Sequence, residues 1–297
     1  MTWFESLILG IVQGLTEFLP ISSSAHLRLT AVAAGWPDPG AAFTAVVQIG
    51  TEVAVLIYFR KDITRILSAW SRSLVDKAAR RDFDAKMGWL VIVGTIPIAV
   101  LGLTLKDYIA GPFRDLRLIA FSLIALGIVL GVADRLAANA ARRAETGGRH
   151  RATRHGKELE DLTVRDGILY GFCQALALIP GMSRSGSTIT GGLFLGYNRA
   201  AAARYSFLLA IPAVLASGVY ELTEIGEDGS HVSWLPTLFA TLVSGLVGYA
   251  VIAWFMKFIS TRSFLPFVGY RVALGIVLLV LIQVGVIDPL AGSQAGH

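Results

Sequence analysis

Long apolar windows constrain this chain more than any other feature. Several stretches of about 20 residues carry at most one charge, which is the length needed to cross the hydrocarbon core of a bilayer. The clearest are 90–105, 118–133, 239–256 and 264–286, the last interrupted only by Arg271. Charged residues make up only 16% of the 297 residues, whereas a soluble domain carries about 25%. The sequence therefore predicts an all-α polytopic membrane protein.

Basic residues are concentrated in two connections, which indicate how the spans are oriented. The segments 60–86 and 135–165 each carry eight Lys or Arg and four acids, whereas "ELTEIGEDGSH" at 221–231 has no Lys or Arg. By the positive-inside rule the two basic segments lie in the cytoplasm, and both termini then lie on the outer side. Neither segment has the folded basic surface that a nucleic-acid partner needs. Six spans are expected, near 41–59, 88–108, 117–135, 200–222, 235–257 and 265–287.

The chain also repeats itself. The string "ALGIVL" at 125–130 recurs at 273–278, and "LPISSSAH" in the first half has a counterpart, "IPGMSRSGST", in the second. We interpret the chain as two copies of one unit, with a basic linker between them and a short tail. The predicted bounds are 1–136, 137–162 for the linker, 163–290 and 291–297 for the tail. Because each copy has an odd number of spans, the second enters the membrane from the opposite side, giving an inverted-topology repeat of the kind found in transporters.

Two further apolar segments are interrupted by proline, and each is predicted to form a re-entrant hairpin. The segments 4–34 and 166–195 are too long for one helix and are split at Pro20 and Pro180. Proline removes a backbone donor and clashes with the preceding turn, so each segment should form a helix, a break and a second helix. The freed backbone groups are tolerable only inside the protein or along a wet cavity. We therefore expect the two breaks to face each other near the middle of the bilayer.

The second break, "PGMSRSGST", has the residue types of a phosphate site. Arg184 supplies a fixed cation, and a helix that begins after the break directs free N–H groups and its positive dipole end to the same place. Gly181 and Gly186 allow tight turns, and hydroxyls come from Ser183, Ser185, Ser187 and Thr188. This combination suits a phosphate or diphosphate. The alternative is that the hydroxyls cap the helix while Arg184 pairs with a buried acid.

The first break, "QGLTEFLPISSSAH", brings an acid, serines and a histidine. Gln13 and Glu17 are four residues apart and so share a helical face, where they can share a divalent cation or hold a water. Ser22, Ser23 and Ser24 follow the proline, and His26 is the one histidine in a membrane-embedded segment. A buried histidine beside serine and glutamate can act as nucleophile, general acid or base, or metal ligand. The alternative is a histidine that is only hydrogen-bonded.

These motifs resemble those of a known family. Together with "QIGT" at 48–51, they are strongly similar to the motifs of the bacterial undecaprenyl-diphosphate phosphatases of the bacitracin-resistance type, and the similarity covers essentially the whole chain. The resemblance implies an integral enzyme of the bacterial inner membrane. Such an enzyme removes the terminal phosphate from the C55 lipid carrier diphosphate and regenerates the carrier for cell-wall assembly. It also implies a site that opens to the outer, periplasmic side.

The resemblance assigns roles to individual residues. The catalytic set it implies is Glu17, Ser23, His26 and Arg184, with Glu17 also binding a divalent cation, Mg²⁺ or Ca²⁺. The substrate-binding set it implies is Gln13, Ser22, Gly181, Ser183, Ser185, Gly186 and Thr188. Gln13 stands where other members have a second glutamate, which places more of the chemistry on Glu17. Besides the polyprenyl diphosphate and membrane lipid, a second copy of the chain, forming a homodimer, is a further expected partner.

Three questions remain open at the level of sequence. The nucleophile can be Ser23, His26 or a metal-activated water. Glu52, which directly follows "QIGT", can be the salt-bridge partner of an arginine or a further metal ligand. A lipid-phosphate flippase or transporter without chemistry would use the same repeats, but anion carriage does not need the Glu, Ser and His cluster. A purely structural scaffold would leave the intramembrane charges without a reason for their burial cost.

Overall fold

The computed structural model describes residues 1–105, 115–146, 156–224 and 233–290, and within these ranges the regular structure is helical. The predicted tail at 291–297 lies outside them. The first half contains α1 to α6, which are Trp3–Thr16, Ser23–Ala34, Gly40–Tyr58, Arg60–Val75, Phe83–Thr104 and Leu116–Thr146. The second half contains α7 to α11, which are Val164–Ala175, Arg184–Phe194, Arg199–Glu224, Trp234–Ile259 and Leu265–Gln283.

The helix lengths confirm a multi-pass membrane protein. Among the described residues, five helices are long and apolar enough to cross a bilayer, namely α5, α6, α9, α10 and α11. The number becomes six when α3 and α4, which are bent by 78° at a short break, are taken as one span. Each of the six expected spans thus has a helix, although 106–108 of the second one lie outside the described residues.

Helix α6 extends beyond the predicted span. It continues to Thr146, into the segment 137–162 that was predicted as the linker. The reason is local, because the segment after the span is "AANAARRAET", which is rich in alanine and arginine, both strong helix formers. The bounds proposed for the two repeats otherwise stay a prediction.

The segment 60–86, expected as a basic cytoplasmic connection, contains a helix that was not predicted. In α4 the apolar residues Ile66 and Ala69 are buried, and the helix packs against α5. Its charges face outward or pair, as Asp62 does with Arg204 at 2.6 Å. Apolar residues at helical spacing are the signal of such an amphipathic helix, and the density of charge obscured it. That α4 lies on the cytoplasmic side stays a prediction.

Both proline-containing segments form the predicted hairpins. Helix α1 ends at Thr16 and α2 begins at Ser23, while α7 gives way to a short 3₁₀ turn and α8 begins at Arg184. The residue that precedes the second helix of each hairpin, Ser22 or Ser183, has a positive φ, of 76° and 65°. These are the two non-glycine residues with positive φ in the described ranges. A left-handed serine is a strained conformation that the surrounding fold must hold, and it occurs at equivalent places in the two halves.

The first helix of each hairpin packs against a helix of the other half of the chain. Helix α1 packs against α10 of the second half, and α7 packs against α5 of the first half, while α6 and α11 pack on each other. Small residues permit the close approach: a Cβ at Gly171 would lie 2.5 Å from the carbonyl oxygen of Gly94, and a Cβ at Gly10 would lie 2.7 Å from that of Ala240. Close helix packing through small residues of this kind is typical of membrane proteins. This packing brings the two breaks into contact with each other.

Candidate active site

The Glu17 carboxylate is the hub of the contacts between the two breaks. Its Oε2 accepts hydrogen bonds from Gln13 Nε2 at 3.0 Å and from Ser23 Oγ at 2.6 Å. Its Oε1 accepts from Gln48 Nε2 at 3.1 Å and from Arg184 Nη2 at 2.7 Å. A carboxylate has about four lone-pair sites, so Glu17 is fully occupied by these donors. One oxygen therefore faces the serine of the first break, and the other faces the arginine of the second.

The ion pair between Arg184 and Glu17 joins residues 167 positions apart in the chain. The side chain of Arg184 is 13% exposed and that of Glu17 is 5% exposed, so water screens the pair little. The expectation that the two breaks meet is confirmed by this contact. The alternative raised from the sequence, in which Arg184 pairs with a buried acid, is also borne out, and the acid belongs to the candidate site itself.

Ser23 and His26 lie at the start of α2 but have different surroundings. Ser23 is half-buried and donates to Glu17. The Nδ1 of His26 lies 2.7 Å from the carbonyl oxygen of Ser22, which can only accept, so Nδ1 carries the proton. In the neutral imidazole the Tyr270 hydroxyl then donates to the His26 Nε2, also at 2.7 Å. The imidazole is thus held as the Nδ1–H tautomer, with a basic Nε2.

The residues predicted around the start of α8 are largely engaged within the protein. Ser183 caps the helix by accepting from the Gly186 N–H at 3.1 Å. Ser185 Oγ donates to the carbonyl oxygen of Leu19, in the first break, at 3.1 Å. Thr188 donates to the Arg184 carbonyl oxygen at 2.8 Å and also contacts Ser206. The structure thus places these four residues beside the arginine, while their role in substrate binding stays a prediction.

Arg271 is the residue that the sequence reasoning left without a role. It is 0% exposed, and its guanidinium donates to carbonyl oxygens of both breaks and of α6. In the breaks it reaches Pro20 and Gly181, each at 2.9 Å, and Met182 at 3.4 Å. In α6 it reaches Ser122 and Leu123. The contacts with Pro20, Gly181 and Met182 supply donors to carbonyl groups of the two breaks, and together with the contacts to α6 they hold the breaks in place.

Gly181 shows why the second break needs glycine. Its φ is +89°, and a Cβ there would lie 2.7 Å from the carbonyl oxygen of Ile119. A left-handed backbone pressed against a neighbouring helix leaves no room for a side chain. Its own carbonyl oxygen is one of those that Arg271 holds. The glycine therefore allows the chain to turn where the two breaks meet.

Two helix N-termini contribute positive potential to the site. Helix α2 begins at Ser23 and α8 begins at Arg184, and the first N–H groups of a helix have no partner within it. The contacts of Arg184 with Glu17 and of Ser185 with Leu19 place these two ends on one cluster. Two dipole ends and a guanidinium attract an anion with several oxygens. The arrangement can hold a diphosphate beside the Ser23 hydroxyl.

The oxygen atoms of the cluster are of the type that binds a hard cation. No group of three or more His, Cys, Asp or Glu with metal-binding geometry occurs among the described residues. The oxygen atoms of Glu17 are all engaged, but the Gln13 Oε1 is buried and has no hydrogen-bond partner. Mg²⁺ and Ca²⁺ bind through one or two carboxylates, amide oxygens, water and substrate phosphates. An ion bound here would therefore need oxygen ligands besides those of Glu17, and the Gln13 Oε1 is one such atom.

Several residues of the cluster were not among the predicted site residues. They are Gln48, Glu52, Ser206, Tyr270 and Arg271. Gln48 lies in "QIGT", which the family resemblance had singled out, and Arg271 was the one charge in the last apolar window. Both signals were available in the sequence. Nothing in the sequence pointed to Tyr270, which meets His26 across 244 positions of the chain.

Glu52 is buried at 2% exposure, and no ion pair of Glu52 occurs among the described residues. The arginine nearest to the acids of the site, Arg184, pairs with Glu17. The interpretation of Glu52 as a salt-bridge partner is therefore wrong for the described part of the chain.

Comparisons with known proteins find similarity along nearly the whole chain. The family model described as bacitracin resistance protein BacA matches residues 6–277. Undecaprenyl-diphosphatase 2 of Streptomyces coelicolor is 70% identical over 296 residues, covering 100% of both chains. The undecaprenyl-diphosphatase of Streptomyces griseus subsp. griseus is 72% identical over 296 residues, again covering 100% of both. That of Micrococcus luteus is 56% identical over 293 residues, covering 97% of this chain and 100% of its own.

Proposed function

The chain belongs to the bacitracin resistance protein BacA family, and on that premise we propose that it is an undecaprenyl-diphosphatase of the membrane. It hydrolyses undecaprenyl diphosphate to the monophosphate and phosphate, which recycles the lipid carrier for cell-wall synthesis. The observation that carries this proposal is the chain of contacts from Arg184 through Glu17 to Ser23. It joins an anion-binding group to a hydroxyl paired with a base, as phosphoryl transfer requires.

Substrate binding follows from the positions of the charges. Arg184 is partly exposed while Glu17 is buried, so a diphosphate reaches the guanidinium first. The N–H groups at the starts of α2 and α8 supply further donors to its oxygens. Apolar side chains are exposed along the spanning helices, where the polyprenyl tail stays in lipid. The substrate is thereby held with its polar end in the cluster and its tail in the bilayer.

Ser23 is the nucleophile in this mechanism. Its Oγ donates to Glu17 Oε2 at 2.6 Å, so Glu17 takes the proton as Oγ attacks the terminal phosphorus. A bond forms between Oγ and that phosphorus, and the bond from the phosphorus to the bridging oxygen breaks. Undecaprenyl monophosphate leaves, and its new negative charge lies beside Arg184. The terminal phosphoryl group remains on Ser23.

His26 acts in the second step. Its Nδ1–H is fixed on the Ser22 carbonyl oxygen, so Nε2 is the atom that can accept a proton. Water attacks the phosphoserine and passes its proton to Nε2. The bond between phosphorus and Oγ breaks, Glu17 returns its proton to Oγ, and phosphate is released. The Tyr270 hydroxyl, which donates to Nε2 in the resting site, must move aside for that water.

A divalent cation, Mg²⁺ or Ca²⁺, is part of the proposal. When bound, it neutralises charge on the phosphate oxygens and polarises the phosphoryl group. By the family resemblance Gln13 and Glu17 would hold such an ion, and of their side-chain oxygen atoms the Gln13 Oε1 is the one without a hydrogen-bond partner. We also propose that the protein resides in the bacterial inner membrane and that the site opens to the periplasmic side. The basic segments 60–86 and 135–165 support this orientation. A homodimer stays a prediction.

The direct test uses purified protein in detergent with undecaprenyl diphosphate as substrate. We expect release of phosphate in the presence of Mg²⁺ or Ca²⁺ and loss of that release on adding EDTA, with recovery when the ion is restored. Release that is unaffected by EDTA would remove the cation from the mechanism. The absence of release under every metal condition would contradict the enzymatic proposal and favour a lipid-phosphate transporter.

The order of the two steps can be tested with substrate radiolabelled in the terminal phosphate. We expect Ser23→Ala to abolish turnover and form no labelled protein. We expect His26→Asn to accumulate label on the protein, because the first step proceeds while the second is slowed by about a hundredfold or more. Rapid acid quenching followed by gel analysis measures the label. The phosphoserine bond is stable in acid, whereas phosphohistidine is not.

Three results would contradict this assignment. Label that is lost in acid and retained in alkali would make His26 the nucleophile. Turnover retained by Ser23→Ala would instead favour a water that attacks directly. An unlabelled His26→Asn variant without turnover would place His26 in the first step.

A further inference from the structure

Two buried oxygen atoms on neighbouring helices of the site have no hydrogen-bond partner. They are Oε1 of Gln13, on α1, and Oε1 of Glu52, on α3. Gln13 is 1% exposed and Glu52 is 2% exposed. Buried polar atoms are nearly always hydrogen-bonded, so each such exception calls for a ligand or another explanation. These two unpartnered oxygen atoms therefore indicate that the site binds a further group.

Both atoms belong to the cluster around Glu17. The amide of Gln13 donates through Nε2 to Glu17 Oε2 at 3.0 Å, which places its oxygen, on the same amide, beside that carboxylate. Reversing the amide would set its oxygen against the Glu17 oxygen, so the orientation is fixed by charge. Glu52 lies four residues after Gln48, on the same face of α3, and Gln48 donates to Glu17 Oε1. The charged groups that act on Glu52 are those of Arg184 and Glu17.

The carboxylate of Glu52 lacks a compensating positive charge in this cluster. Arg184 is engaged by Glu17 at 2.7 Å, and no cation pairs with Glu52 within the ranges that the structure describes. A buried carboxylate without a donor or a counter-ion is costly, and a second carboxylate nearby raises that cost. One more positive charge next to Glu52 would compensate this carboxylate. Amide and carboxylate oxygens are the ligands that Mg²⁺ and Ca²⁺ prefer.

We propose that Glu52 and the Gln13 Oε1 are protein ligands of a divalent-cation site next to the Glu17–Arg184 pair. Because Gln13 is neutral, Glu52 supplies the carboxylate charge from α3, while Glu17 remains engaged with Ser23 and Arg184. Water and the diphosphate oxygens complete the coordination sphere. The use of the ion in catalysis rests on the proposed diphosphatase function, whereas its binding does not.

Binding of Mn²⁺ to the metal-free, full-length protein in detergent tests the site without any substrate. Electron paramagnetic resonance of the free ion counts the Mn²⁺ that is bound. We expect one ion per chain in the wild type and a loss of affinity of about tenfold or more in Glu52→Gln, since a charged ligand is removed. We expect Gln13→Glu to bind at least as tightly as the wild type, because it adds a second charged ligand.

Controls separate ligand loss from misfolding. Glu160→Gln removes an exposed carboxylate elsewhere in the chain and should leave the affinity unchanged. Metal-free Glu52→Gln should unfold thermally no earlier than the wild type, since it removes an uncompensated buried charge. An equal Mn²⁺ affinity in Glu52→Gln and the wild type would overturn the proposal and leave Glu52 as a neutral, protonated acid. Absence of Mn²⁺ binding by the wild type would also overturn it.

The outcome is independent of the proposed enzymatic function. Phosphate release with unchanged Mn²⁺ affinity in Glu52→Gln would remove this site and leave the diphosphatase assignment in place. Mn²⁺ binding that depends on Glu52, without phosphate release by the wild type, would retain the site and contradict the diphosphatase assignment.

Discussion

Replacing Glu17 by Gln or Arg184 by Ala is expected to lower phosphate release from undecaprenyl diphosphate by at least about a thousandfold. In Glu17→Gln, one carboxylate oxygen becomes an NH₂ group that faces donors instead of accepting from them. Ser23 or Arg184 then loses its acceptor, and the base for the attacking hydroxyl is gone. In Arg184→Ala the diphosphate loses the guanidinium that holds it. Initial rates with purified, folded variants measure both effects.

The matched controls for these variants are Glu160→Gln and Arg165→Ala. Both residues are exposed and lie outside the cluster, so their rates should stay within about twofold of the wild type. Because the two site residues act as one unit, the double variant should be little slower than either single variant. Wild-type rates in Glu17→Gln or in Arg184→Ala would show that the reaction takes place elsewhere in the molecule.

Replacing Arg271 by Met is expected to cause the largest loss of stability. Methionine fills much of the same volume but donates no hydrogen bond, so the carbonyl groups of Pro20, Gly181 and their neighbours lose their donor. Removing one partner of a buried charged network costs about 3–5 kcal/mol, which corresponds to a fall of about 10 °C in the unfolding midpoint. Thermal unfolding in detergent measures this shift.

Two further variants show whether Arg271 holds the breaks together or only fills space. Arg262→Met removes an exposed arginine near α11 and should leave the midpoint unchanged. Arg271→Lys keeps the charge but lacks the planar fork, so it should recover part of the stability and less of the activity. An unfolding midpoint for Arg271→Met equal to that of the wild type would contradict a role in joining the breaks.

Much of the site was predictable because the sequence carries the physical cause of its geometry. Pro20 and Pro180 cannot continue a helix, and both segments indeed break there. The intramembrane charges Glu17 and Arg184 each require a partner at membrane depth, and they are partners of each other. Because each half carries one of the two related motifs, contact between the two breaks was the simplest arrangement to predict.

Other features depend on tertiary packing, which no local pattern encodes. The contact of His26 with Tyr270 arises only when α2 meets α11. The Glu52 oxygen is left without a partner because Arg184 pairs with Glu17, and this pairing depends on the tertiary structure. Helix α4 was not predicted for a different reason. Its apolar residues recur at helical spacing, but its high density of charge is typical of a loop. Capping of α8 by Ser183 was one of the two interpretations of the sequence, but the positive φ of this serine has no signal in the sequence.

The central claim is that the two breaks form a single site for the diphosphate, and an experimental structure with a non-hydrolysable analogue tests it most directly. A polyprenyl methylene-bisphosphonate would occupy the site without turnover. We expect its terminal phosphonate within hydrogen-bonding distance of the Arg184 guanidinium and facing the Ser23 Oγ, with the tail leaving toward lipid. A bisphosphonate bound at any place remote from both residues would contradict the account.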